Sequence, residues 1–179
     1  MYIMVKFLSD FVIGYKLKKK LKSLAFVSKE NLNQFKTMAV LIAQNHEIDD
    51  EIFLTLSRAF KIPYQNITIV VFSSKKKEEL STRIKNRMNF SRDDISFCGN
   101  VNQEFTSLFQ QEFDLIVNYF DDKALIPSFV SAFCNAKVRL GFSNSNHALN
   151  DLMLTINPKE TELFLSESTR YLKTILKKA

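Results

Sequence analysis

Lys16, Lys18, Lys19, Lys20 and Lys22 form the densest run of like charge in the first part of the chain. Their chemistry is ionic, because each ammonium that neutralises a phosphate releases a counterion. Residues 1–24 hold six lysines against Asp10 alone, a balance of +5 in a 179-residue chain whose net charge is +6. So local a field points to docking on a negative surface. RNA, as in a ribosome, is one such partner, with Phe7, Phe11 and Tyr15 placed to stack on unpaired bases. An anionic membrane face is another, with the apolar first half of the segment in the headgroup boundary. A protein partner, or a second copy of the chain meeting the same helix, is a third use of it.

A second set of polar residues falls where apolar runs end. Asn45 and His46 follow one run, and Asn118, Asp121 and Asp122 follow or close another. In an open parallel sheet, ligands settle outside the carboxyl ends of the strands, so these residues can line a site for a nucleotide or sugar. Asp121 or Asp122 near His46 can also move a proton. The competing reading is that the two aspartates cap a helix.

The glycine count narrows the chemistry. Gly14, Gly99 and Gly141 are the chain's three glycines and lie far apart, whereas a dinucleotide fingerprint or a P-loop needs two or three within a few residues. Gly-x-Ser-x-Gly is also absent, so no nucleophile elbow is marked. Cys98, Cys134, His46 and His147 are scattered singly, which fits neither a structural metal site nor a disulfide framework. No cofactor is expected, and the expected location is a reducing cytoplasm, with the membrane periphery as the alternative for a docked protein.

The elements that position these residues follow from periodicity. Residues 1–24 have helical spacing, with Met1, Val5, Leu8, Val12 and Tyr15 on one stripe widened by Phe7, Phe11 and Leu21. The lysines follow the apolar stretch, the reverse of a secretory signal, and the stretch is shorter than the roughly 20 residues of a membrane span. Beyond a polar linker, short apolar runs alternate with amphipathic segments, the rhythm of an α/β fold. Strands are expected at 37–43, 67–72, 95–98, 113–119, 138–142 and 152–156. Continuous runs such as Leu115-Ile116-Val117 suit parallel strands covered on both faces. Helices are expected after Asp49 or Asp50, at 103–111, after Asp121 or Asp122, and after Asn157-Pro158 with Glu160 in the capping-box place. The organisation is a basic amphipathic helical segment, 1–27, followed by a Rossmann-like α/β domain with a mostly parallel sheet, 35–179.

Phe113-Asp114-Leu115-Ile116-Val117-Asn118-Tyr119, then Arg139-Leu140-Gly141-Phe142 and Asn150-Asp151-Leu152, resemble a bacterial family of unknown function of about this length. That family also begins with a lysine-rich helix. Arg-x-Gly-Phe and Asn-Asp-Leu are the specific pieces of the likeness. More remotely, the stretch is similar to the N-terminal Rossmann-like domain of heptosyltransferase-type glycosyltransferases. Those enzymes carry a Gly-Asp pair after the first strand, where this chain has Ala43-Gln44-Asn45-His46-Glu47-Ile48-Asp49, and they bind nucleotide sugar in a second domain. The sequence therefore points to a non-enzymatic interaction protein docked through its basic helix. A small enzyme or ligand-binding domain working at the strand ends is the alternative.

Overall fold

The computed structural model describes residues 2–24, 32–43, 49–73, 86–121 and 124–178. Among these, six strands form one all-parallel sheet: β1 (Met38–Ala43), β2 (Ile67–Phe72), β3 (Asn86–Phe90), β4 (Glu112–Tyr119), β5 (Asn135–Phe142) and β6 (Leu152–Leu154). Their order across the sheet is β3-β2-β1-β4-β5-β6. It reverses between β1 and β4, the arrangement of doubly wound Rossmann folds. The expected α/β class and parallel sheet are therefore present.

Two apolar layers sandwich the sheet. On one face α2 (Leu54–Phe60) and α5 (Thr161–Lys178) cover Val40, Ile69, Leu115, Val117 and Leu140. On the other, α1 (Tyr2–Leu24), α3 (Thr106–Gln110) and α4 (Leu125–Phe133) cover Leu41, Val70, Ile116 and Phe120. β1 and nearly all of β4 are buried along their length, as central strands flanked by both layers must be. Asp114 pins the lower ends of these two strands together. It accepts from the Lys36 and Thr37 amides at 2.7 and 3.2 Å and pairs with Lys137 at 3.0 Å. Burial pushes its carboxyl up, but the Lys36 amide, the Lys137 ammonium and the Thr37 amide outweigh burial and hold it below the ordinary carboxylate value.

Several elements depart from expectation. Residues 95–98 form no strand: Ile95 makes an isolated antiparallel bridge to Val101, and the chain turns between them through Gly99 at φ 71°. The strand is β3, upstream, whose Asn-Arg-Met-Asn-Phe composition carries no apolar run because an edge position buries little. Asp121 does not cap α4 with its side chain. Ala124 takes the N-cap position without a side-chain cap, and Asp121 contributes its carbonyl to the Ala124 amide. Asp122 lies outside the described residues. Asn157 opens a separate turn, accepting from the Lys159 amide, and α5 begins only at Thr161.

The buried stripe of α1 also differs. Ile13, Leu17 and Leu21 enter the core, whereas Leu8, Phe11 and Tyr15 are exposed. The first half of the helix is apolar on most sides, so its own periodicity selects no face. Packing against α4 makes the selection, with Ser9 and Asp10 fixed beside Arg92.

Candidate functional site

The outward surface of α1 divides along its length. At 100° per residue, Leu8, Phe11 and Tyr15 fall on one side of the helix, and Lys18, Lys19 and Lys22 continue that side toward the C-terminal end. All six are exposed, Phe11 by 70% and Tyr15 by 65%. Asp10, the acid of this helix, is turned away and bound to Arg92 Nε at 2.7 Å. The outer face therefore runs from apolar to cationic with no described carboxylate of the helix between.

The other two lysines of the run lean on their own domain. Lys16 donates to the Gly99 carbonyl at 3.4 Å, and Lys20 Nζ lies 5.6 Å from the centre of the Phe133 ring, a cation–π distance. Gly99 suits this turn chiefly through its backbone. Its positive φ disfavours an L side chain, and a Cβ there would stand 3.0 Å from Lys16 Cδ. A groove of about 370 Å³ opens beside this contact, lined by Lys16, Val101, Thr106, Phe109, Phe129 and Phe133 among others. The sequence run of five lysines thus becomes three outward cations and two that help seat the helix.

The strand ends give a different picture. Asn45 and His46 lie outside the described residues, as does Asp122, so their meeting with Asp121 is not part of this description. Asp121 itself is half-buried just past β4. Asn118, the other expected ligand-binding residue, is wholly buried and donates through Nδ2 to Asn150 Oδ1 at 2.7 Å. Asn150 Nδ2 donates in turn to Ser145 Oγ at 2.6 Å, and that hydroxyl donates to the Phe142 carbonyl. Asn118 Oδ1 has no hydrogen-bond partner among the described residues.

This chain of amides explains the motif pieces read from sequence. Gly141 is needed because a Cβ on it would come within 2.5–2.9 Å of the Asn150 amide. Asp151 and Arg139 pair like neighbouring strands: the Arg139 amide donates to Asp151 Oδ2, and the Asp151 amide donates to the Arg139 carbonyl. The Arg139 guanidinium is buried and donates to the Cys134 and Ser131 carbonyls at the end of α4, where cationic donors suit the helix dipole. Burial pushes the Cys134 thiol up to about 12, against the smaller opposing pull of Arg139, so this cysteine is held as an inert thiol. Sequence reasoning found these residues through a likeness but not their contacts, since Asn118 and Asn150 are 32 residues apart.

Among the described residues, no three His, Cys, Asp or Glu side chains gather as metal ligands, and no helix is long and apolar enough to cross a membrane. A family of unknown function, DUF6913, matches residues 10–175, and the chain belongs to it. No curated protein and no solved structure matches the chain.

Proposed function

We propose that this protein is a non-enzymatic docking module that attaches to a polyanionic partner through the outer face of α1. One observation carries the reading: Lys18, Lys19 and Lys22 are exposed together on a helix whose described acid is bound elsewhere. The two inward lysines, Lys16 and Lys20, support the reading indirectly, because they keep the helix seated and its outer face presented. Membrane surface and RNA are both polyanions that such a face fits, in a cytoplasmic protein held at a surface.

The test is co-sedimentation of the full chain, and of its Lys18→Glu, Lys19→Glu, Lys22→Glu triple variant, with ribosomes and with anionic vesicles at low and high salt. Docking predicts binding that falls steeply with ionic strength and is lost in the triple variant. Equal binding by the variant, or no binding to either partner, rejects it. The full chain is used because Ile13, Leu17 and Leu21 belong to the core.

A second reading places a nucleotide or sugar at the crevice between β1 and β4, and the strand order favours it. The remote likeness to heptosyltransferase-type domains bears on fold alone. Of the described candidates, Asp121 is the residue left to face such a ligand, since Asn118 is closed in by Asn150. A thermal shift by nucleotides or sugars that disappears in Asp121→Ala would put this reading first.

A further inference from the structure

We infer that the surface met by α1 is an anionic lipid bilayer, with Leu8, Phe11 and Tyr15 entering the headgroup–acyl boundary while Lys18, Lys19 and Lys22 meet lipid phosphates. The inference rests on the docking reading above and names its partner.

Three features of the face select lipid over nucleic acid. The first is the number of cations. On nucleic acid the three outward lysines described on α1 supply the release of about three counterions and nothing more. On an anionic membrane each basic residue strengthens attachment roughly five-fold, so three give about a hundred-fold, and the apolar contact adds to that. The second is the nature of the apolar half. Phe11 and Tyr15 offer faces to a base, but Leu8, 49% exposed, has none to stack and gains chiefly from leaving water. The third is their order. Apolar residues occupy one half of the outer face and lysines the other, and in the sequence the five residues before Lys6 are all apolar. A tilted helix with its first half shallowly inserted and its second half at the phosphates matches that division.

Charge also argues against a second copy as the occupant. Pairing two such faces side by side in parallel would set Lys18, Lys19 and Lys22 against their equivalents without a described acid on either α1 face, and like-charge juxtaposition disfavours it. Pairing in the antiparallel sense would carry the lysines toward the partner helix's amino end, where the dipole already concentrates positive charge.

The chain contains no tryptophan, so Phe11→Trp creates a single fluorescent reporter at the centre of the face, with Tyr15→Trp as a second in case the first fails to fold. The probe is vesicles of phosphatidylcholine alone or mixed with phosphatidylglycerol, with single-stranded RNA and ribosomes as separate arms. The expected result is a blue-shifted emission on the mixed vesicles, quenched by acyl-brominated lipid. Binding should be at least ten-fold weaker on phosphatidylcholine alone, and at least a hundred-fold weaker when Lys18, Lys19 and Lys22 are glutamate. Binding to RNA or ribosomes with no shift on vesicles overturns the lipid assignment and leaves docking standing. Vesicle binding without blue shift or quenching overturns the insertion of the apolar half. A shift that depends on protein concentration without vesicles assigns the face to self-association, and no binding in any arm overturns docking itself.

Discussion

The β5–β6 corner and the outer face of α1 use polar and charged residues in opposite ways. At the corner, Asn118, Asn150, Ser145 and Arg139 are buried, and their side-chain hydrogen bonds go to one another or to backbone of the same domain, while the exposed Asp151 accepts from the Arg139 amide. On α1, Lys18, Lys19 and Lys22 turn outward beside exposed Leu8, Phe11 and Tyr15. The corner carries the most distinctive sequence pattern yet builds structure. The helix face carries an ordinary-looking lysine run yet leaves its apolar and cationic side chains exposed. Distinctive residues can therefore mark a tight fit between strands as readily as a ligand site.

The sharpest way to break this contrast is to remove residues 1–24. A boundary drawn at 27 and 35 implies a domain that folds without its helix. The burial of Ile13, Leu17 and Leu21 means that truncation strips one of the three helices covering that face and exposes the apolar surface of α4 beneath it, so the truncated chain is expected to lose most of its stability in urea. A sharp transition near that of the full chain would return α1 to the status of an appendage.

Next in size are substitutions at the corner. Gly141→Ala forces a Cβ into the Asn150 amide and should cost about 2–3 kcal/mol in chemical denaturation. Asn150→Ala should cost about 1–3 kcal/mol by stranding its buried partners. The double variant is expected to be less destabilised than the sum, since alanine at 150 clears the space that alanine at 141 needs. Additive costs would show that the two residues do not constrain each other.

Asp114→Asn should cost about 1–2 kcal/mol at neutral pH, through the weakened bonds to Lys36, Thr37 and Lys137. Because the folded state holds this carboxyl below its ordinary value, its contribution is complete above an unfolded pKa of about 3.9 and disappears as pH falls through the lower folded value. The variant's stability deficit should therefore shrink below about pH 4 in urea titrations at stepped pH. A deficit that stays constant with pH would show that the carboxylate's charge is not what matters. The smallest effect belongs to the helix face: Phe11→Ser, or reversal of Lys18, Lys19 and Lys22, should shift stability by no more than about 0.5 kcal/mol. A larger loss would mean that this face is already engaged within the fold.

What could be read from sequence follows the same division. β1, β2 and β4 were legible because central parallel strands are continuous apolar runs, and their positions agree closely with the runs Met38–Ala43, Ile67–Phe72 and Phe113 onward. β3 was not, because an edge strand of Asn, Arg, Met, Asn and Phe carries no such signature. The lysine run was visible as charge. Its division into outward and inward members depends on Gly99 and Phe133, which reach the helix only through the fold. A local rule makes Asp121 a helix cap, but Ala124 takes that position at the start of α4.

The clamp at the start of α1 has a mechanical consequence. Arg92 holds Asp10 and Ser9 while donating to the Ile95 carbonyl at 2.9 Å, and Lys16 and Lys20 fasten the same helix farther along. A grip on the outside of such a helix is a grip on the sheet beneath it, so the proposed attachment would fix the body's heading as well as its address. Under that proposal the helix would act as a handle rather than a leash, and every copy on one surface would point the same way.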